Sequence, residues 1–247
     1  MKIENLSRGK RAFDLLVLVA ILPFALPAAL LIGIAVFLDS PGPVFYRARR
    51  IGGGGRPFEM LKFRTMRVDM AGYAIASDRD ERITPVGSFL RSTRLDELPQ
   101  LWNVLRGEMG MVGPRPELEE FVALHAEDYR EILSVPPGVT GPTQLRFAGV
   151  EASLLGLQPD PDAYYREELL PDKVALDLAY ARSRSLRLDL VVFCQTLPLP
   201  AILVWRRLRG EGSPEPVDRM RSVAYTGFAM GVAALPVVFA LGLGSPR

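Results

Sequence analysis

The strongest pattern in the chain is a run with almost no polar positions. Residues 12–38 carry one charge, Asp14, in 27 positions, which is the length and composition of a membrane segment. As a straight helix the run would reach about 40 Å, more than the ~30 Å hydrocarbon core. Pro23 and Pro27 lie one turn apart at its middle, where each removes a backbone donor, so a break is expected there. Lys2, Arg8, Lys10 and Arg11 precede the run, and Arg47, Arg49, Arg50, Arg56, Lys62, Arg64 and Arg67 follow it. A spanning helix would place one basic flank on the wrong side of the membrane; a re-entrant helix-break-helix that returns at Pro23 and Pro27 keeps both flanks on the cytoplasmic side.

Beyond this run the pattern becomes that of a folded polar domain. Residues 44–51 and 57–63 partly alternate around Gly52 to Gly55, predicting a β-hairpin with a flexible tip. Residues 96–106 place Leu98, Leu101, Trp102 and Leu105 on one helical face, with Gly107 as the stop. Two further helices are expected at 116–133 and 161–184, joined through a Gly/Pro-rich loop at 136–142. Residues 190–205 are uncharged but short, contain Pro198 and Pro200 and run into Arg206, Arg207 and Arg209, which predicts an interfacial segment anchored by Trp205. Residues 222–244 are also uncharged and contain Gly227 and Gly231 at the spacing of close-packed membrane helices; this predicts a C-terminal membrane helix, with an interfacial or disordered tail as the alternative, and the glycine spacing points to self-association as a homodimer. The fold class is therefore α+β and mostly helical. It divides into an N-terminal membrane segment (1–39), a cytosolic and interfacial catalytic domain (40–205) and a basic linker with its tail (206–247).

Composition narrows the chemistry. With 30 Lys+Arg against 28 Asp+Glu the net charge is only +2, and the chain holds one cysteine, Cys194, and one histidine, His125. Disulfide frameworks, thiolate clusters and His-rich metal sites are excluded. The glycines at 52–55 are not followed by the Lys-Ser/Thr of a phosphate loop. Nucleic acid is a poor partner, because acidic residues are plentiful and the basic positions lack interleaved aromatics. Cys194 and His125 have no convergent polar neighbours in the sequence and are expected as an apolar filler and a helix-surface residue, with Trp102 in the core. Catalysis must rest on carboxylates, lysine and arginine.

Asp96 and Glu97 open the helix predicted at 96–106. Acidic residues are favoured in a first turn by the macrodipole alone, and Thr93 three positions earlier fits a capping arrangement. The same placement would keep a carboxylate ionised for use as a nucleophile or metal ligand. Lys62 and Arg64, Arg91 and Arg94, and Arg115 after Gly113 and Pro114 each set a cation beside a turn or helix start, where guanidinium groups grip phosphate oxygens.

In order along the chain, Lys10 to Asp14, Ser40 to Phe45, Arg50 to Gly52, Lys62 to Met66, Arg91 to Leu101, Asn103 to Leu105, Val112 to Pro116, Pro137 to Gly141 and Gln144 resemble the bacterial sugar transferase family, the monotopic polyprenyl-phosphate phosphoglycosyl transferases. The resemblance runs from Lys10 to about Trp205. It implies a re-entrant helix broken at Pro27 and transfer of a sugar-1-phosphate from a UDP-sugar to a polyprenyl phosphate, releasing UMP. It implies Asp96 as the nucleophile that carries a covalent phosphosugar, and Glu97 as the Mg²⁺ ligand that also assists proton transfer. Lys62, Arg64, Arg91, Pro114, Arg115, Gln144, Asp177 and Asp189 are implied around the substrates. Its setting would be the cytoplasmic face of a bacterial inner membrane, in the first membrane step of exopolysaccharide or lipopolysaccharide synthesis. A membrane-anchored protein whose basic patches bind anionic headgroups, and a phosphotransferase with a soluble acceptor, are the competing readings. Ala48, Leu26 and residues 145–149 depart from the family's usual residues, which leaves the sugar open.

Overall fold

The computed structural model describes residues 8–68, 80–147 and 150–209. The predicted tail helix at 222–244, with Gly227 and Gly231, lies outside them. Helix α1 (Arg8–Asp39) leads into a hairpin of β1 (Phe45–Ile51) and β2 (Pro57–Phe63), then α2 (Pro85–Thr93) and α3 (Gln100–Arg106). Strand β3 (Gly110–Val112), helices α4 (Glu119–Leu124) and α5 (Ala126–Ile132), and strand β4 (Gly138–Thr140) follow. The rest is helical: α6 (Pro142–Phe147), α7 (Glu151–Gly156), α8 (Pro161–Tyr164), α9 (Leu170–Ser183), α10 (Leu186–Thr196) and α11 (Leu199–Leu208). The fold is mostly helical with two small sheets, as the pattern implied.

Helix α1 runs unbroken through Pro23 and Pro27, so the expected interruption of the helix is not seen. Both of its ends are tied to the same domain. Near the start, Arg11 donates to the carbonyls of Val104 (2.6 Å) and Leu105 (2.8 Å), capping the C-terminal end of α3. Just past the end, Arg64 donates to the carbonyls of Pro41 (2.7 Å) and Ser40 (2.6 Å). Between these ties Leu18, Ala25 and Val36 are buried, while Leu16, Phe24, Leu30, Leu31, Phe37 and Leu38 stand exposed. Two helical stretches, Arg8–Asp39 and Leu186–Leu208, are long and apolar enough to cross a membrane.

The hairpin forms where it was expected, pairing Phe45 with Phe63 and Ile51 with Pro57. Its tip is not loose: Gly54 N–H donates to the Leu133 carbonyl at 2.7 Å. The free edge of β2 is closed by a side chain. Asn103, 1% exposed, accepts from Leu61 N–H (3.0 Å) and donates to the Glu59 carbonyl (2.8 Å), doing for β2 what a third strand would. Helix α2 starts on Thr84, whose hydroxyl accepts from Gly87 N–H, with Pro85 in the first turn. A side chain at Gly87 would strike the Thr65 backbone, so glycine lets α2 seat directly on the strand end.

Two features went unpredicted. Strands β3 and β4 pair in parallel, Gly110 with Gly138 and Val112 with Thr140; at three residues each they are too short for a period to register. The helix expected at 116–133 starts at Glu119 and breaks at His125, whose backbone leaves the helical region. The helix expected at 161–184 is continuous from Pro161 to Ser183, with a wider turn at Tyr165–Leu169. Trp102 is 52% exposed on α3 rather than in the core, since Leu101 and Val104 fill the face that packs inward. Cys194 is exposed on α10 rather than buried as filler, because Val192 takes the inward position.

Candidate active site

The carboxylate pair sits at the reversal between α2 and α3. Arg94 adopts a left-handed backbone (φ 64°, ψ 13°) that ends α2 and turns the chain back. Residues Leu95–Glu97 then form a single tight 3₁₀ turn, and α3 begins only at Gln100. This corrects the expectation that the pair opens the long helix: Pro99 has no amide hydrogen to carry the helical ladder through, so α3 starts after it. The capping role given to Thr93 also fails, because its hydroxyl donates to the Phe89 carbonyl inside α2 at 2.8 Å.

Asp96 and Glu97 are each 6% exposed, yet their surroundings differ sharply. Glu97 Oε1 meets Lys62 Nζ at 2.9 Å and Arg115 Nη2 at 3.3 Å, and its Oε2 meets Arg94 Nη2 at 2.9 Å. Burial opposes its ionisation, but Arg94, Lys62 and Arg115 together hold its carboxyl well below the usual range. Asp96, among the ion pairs of the described residues, meets only Lys62, at 3.9 Å. Burial pushes its carboxyl up and the Glu97 charge adds to that, against the pull of Lys62, Arg94 and Arg91. Lys62 is pushed down by burial while Glu97 and Asp96 hold its proton on. Lys62, Arg91, Arg94 and Arg115 thus act on the two carboxylates of the dyad, a local surplus of positive charge suited to an anion, although Arg115 is shared with Glu117 and Glu151.

The four cations are delivered by three elements. Lys62 comes from β2, steadied by Asn103; Arg91 and Arg94 come from the end of α2; Arg115 comes from the segment after β3. That segment is fixed by its backbone: Arg115 N–H donates to Asp177 Oδ2 at 3.1 Å, and the Pro114 carbonyl accepts from Gly138 N–H at 2.9 Å. Asp177 also accepts from the Thr143 hydroxyl at 2.6 Å. Burial pushes the Asp177 carboxyl up to about 7 in spite of both hydrogen bonds. A shallow cleft beside Arg94 and Arg115 is lined further by Thr143, Gln144, Phe147 and Glu151.

Residues 5–201 match the family described as bacterial sugar transferase. The chain belongs to that family. It is 37% identical over 194 residues to the UDP-glucose:undecaprenyl-phosphate glucose-1-phosphate transferase of Caulobacter vibrioides, covering 76% of this chain and 68% of that protein. It is 45% identical over 114 residues to a putative undecaprenyl-phosphate N-acetylgalactosaminyl 1-phosphate transferase of Bacillus subtilis, covering 45% of this chain and 64% of that one. Identity is 35% over 195 residues with the UDP-N-acetylgalactosamine-undecaprenyl-phosphate N-acetylgalactosaminephosphotransferase of Aeromonas hydrophila, over 76% of this chain and 42% of the relative.

In this sugar transferase chain the structure gathers Asp96, Glu97, Lys62, Arg91 and Arg115 at one place, with Pro114 and Asp177 fixing the Arg115 segment and Gln144 lining the cleft, its amide donating to the Gly138 carbonyl at 3.2 Å. Two residues implied by the resemblance sit elsewhere. Arg64 spends both terminal nitrogens on the Ser40 and Pro41 carbonyls, so it holds the end of α1 rather than facing the dyad. Asp189 accepts from the Tyr180 hydroxyl at 2.5 Å and pairs with Lys10 at 3.0 Å. Lys10 in turn pairs with Asp14 at 2.8 Å, and Asp14 accepts from Met111 N–H at 3.0 Å. Asp189 thus belongs to a separate cluster that binds α1 to β3 and α10. Glu117, Glu151 and Lys173 were missed as site residues, and Arg94 was read as a phosphate-gripping cation without being assigned to the dyad. Lys173 stands one helical turn before Asp177 on α9.

Proposed function

We propose that this chain transfers a sugar-1-phosphate from a UDP-sugar to a polyprenyl phosphate, releasing UMP, at the cytoplasmic face of a bacterial inner membrane. The observation that carries the proposal is the asymmetry of the dyad: Glu97 is held ionised by three cations while Asp96 keeps its oxygens nearly free beside them. A diphosphate entering this surplus of positive charge would be gripped by Lys62, Arg91, Arg94 and Arg115, and the sugar-linked phosphorus set against Asp96. Attack by a carboxylate oxygen forms an acyl phosphate on Asp96 and breaks the bridging P–O bond, whose electrons leave with UMP. An oxygen of the lipid phosphate then attacks the same phosphorus and returns the Asp96 carboxylate. Splitting the transfer lets one site serve a water-soluble donor and a lipid acceptor in turn.

A divalent magnesium ion fits the donor set. Mg²⁺ takes one or two carboxylates and completes its shell with water and substrate phosphates, and the adjacent Asp96 and Glu97 offer that much, with Glu97 the proposed ligand. When bound, the ion would neutralise charge developing on the diphosphate. Because Glu97 already faces Lys62, Arg94 and Arg115, those side chains would shift their bonds to phosphate oxygens as it turns to the metal.

The ties at both ends of α1 support the re-entrant, monotopic path. Arg11 and Ser40 are held by one domain, which a helix crossing the bilayer would place on opposite sides. The apolar face bearing Phe24, Leu30 and Phe37, together with the exposed Leu190, Leu197 and Trp205, would enter the lipid and set the dyad at headgroup depth. The relatives are named for glucose and for N-acetylgalactosamine, so family membership leaves the sugar open. Purified protein in detergent with Mg²⁺, undecaprenyl phosphate and a panel of UDP-sugars should release UMP, and Asp96→Asn should lower that release by about 10³-fold or more. UMP release that persists in Asp96→Asn, or that needs no lipid, would overturn the proposal.

A further inference from the structure

Behind Arg115 lies a second set of buried charges that the proposed chemistry does not use. Lys173 on α9 is 2% exposed, and its ammonium donates to Glu151 Oε1 at 2.8 Å and to the Tyr165 hydroxyl at 2.9 Å. Tyr165 passes the bond on, donating to Glu117 Oε1 at 2.8 Å, while Lys173 itself stands 3.6 Å from the same oxygen. Glu117 is two residues past Arg115 in the chain, and Glu151 lines the cleft with Arg94 and Arg115. Burying an ammonium costs several kcal/mol unless it is paired, so a lysine in this position answers to a specific demand. That demand comes from Glu117 and Glu151: Glu151 lines the cleft with Arg115, and both carboxylates act on the Arg115 guanidinium in competition with Glu97.

Resting on the transferase reading above, we infer that Lys173 is a positioning residue for Arg115: it neutralises Glu117 and Glu151 from behind, so that the guanidinium stays turned toward Glu97 and the incoming diphosphate. Helix α9 serves this role twice. Asp177, one turn after Lys173, takes the Arg115 backbone N–H, and Lys173 with Tyr165 takes the Glu117 side chain. The segment is therefore pinned on both sides of Arg115 by one helical face. Without Lys173 the two carboxylates would be left with Arg115 as their nearest cation and would draw it out of the site.

The full chain in detergent, with Lys173→Met, Glu151→Gln and the double variant beside wild type, tests this through calorimetric binding of UDP with Mg²⁺ and through UMP release. Lys173→Met should weaken UDP binding at least tenfold, and adding Glu151→Gln should return it to within about threefold of wild type, since removing one carboxylate removes the pull. A role in packing alone gives no such rescue. Unchanged UDP binding in Lys173→Met, or a double variant as weak as the single one, overturns the inference. Should Lys173→Met fail to fold, Tyr165→Phe, which cuts the link to Glu117, is expected to weaken UDP about threefold; an unchanged affinity overturns the inference. Wild type that binds UDP in a Lys173-dependent way but turns over no UDP-sugar supports the positioning role and sinks the transferase reading. Turnover by wild type together with Lys173-independent UDP binding does the reverse.

Discussion

Around Glu97 three cations share one carboxylate, whereas around Lys10 two carboxylates share one ammonium. Lys62, Arg94 and Arg115 converge on Glu97 and leave Asp96 with one long contact. Lys10 bridges Asp14 and Asp189; Met111 N–H also donates to Asp14 Oδ1 and the Tyr180 hydroxyl to Asp189 Oδ1, while Asp14 Oδ2 is buried with no hydrogen bond. The second arrangement is self-contained: its donors come from three elements, α1, β3 and α9, and tie α10 to them. The first is open, with positive charge in excess and a carboxylate under-used, and it stands ready for an anion that the protein does not itself supply. Similar residues, differently balanced, give a fastener in one place and a receptor in the other.

The sharpest way to break the comparison is Glu97→Gln, which keeps the shape and removes the charge on which the cations converge. Turnover should fall by about 10²–10³-fold, and the melting temperature should fall with it, because the ionised carboxylate that Lys62, Arg94 and Arg115 hold is lost. At the Lys10 cluster only stability should suffer. Asp14→Ala leaves Met111 N–H without this acceptor and takes one carboxylate from Lys10, costing on the order of 3 kcal/mol of stability. Thermal unfolding should show that loss, while the fraction that remains folded keeps wild-type affinity for the donor. Equal effects on turnover and stability at both sites would remove the distinction.

A smaller effect separates Asp177 from both clusters. Burial raises its folded-state pKa to about 7 from an ordinary value of 3.8, so between about pH 4 and 7 the folded chain keeps a proton that the unfolded chain gives up. Stability from this group is present below that window and is lost as pH rises through it. Asp177→Asn should flatten the fall in melting temperature over this range. A wild-type profile as flat as that of the variant would contradict it.

Much of this was readable in the chain. The apolar run at 12–38 and the hairpin around Gly52 to Gly55 follow from local pattern alone, and the local pattern of α3 up to its stop at Gly107 did too, since each is decided within a few residues. The cluster of charges was legible as a set of motifs, because Lys62, Arg91, Asp96, Glu97 and Arg115 each stand in one, and the structure gathers them. What stayed hidden was set by partners distant in sequence. Nothing near Arg64 announces that Ser40 and Pro41 will occupy its guanidinium, and nothing near Asp189 points to Lys10. The short parallel pair of β3 and β4 depends on a contact across some 28 residues, which no local period encodes. Lys173 reads as an ordinary surface lysine until α9 turns it inward toward Glu117 and Glu151.

Arg94 carries a cost that the rest of the site does not. Among the described residues it alone, glycines aside, has a left-handed backbone, a conformation that disfavours an L side chain by about 1–2 kcal/mol. Glycine would relax that turn, but it would take away the guanidinium that meets Glu97 Oε2 and leave that buried carboxylate one partner short. Arg94→Gly should therefore turn over more slowly than the parent chain, without the gain in melting temperature that relief of strain alone would give. Anyone stabilising this fold by replacing strained residues would silence it at the first step.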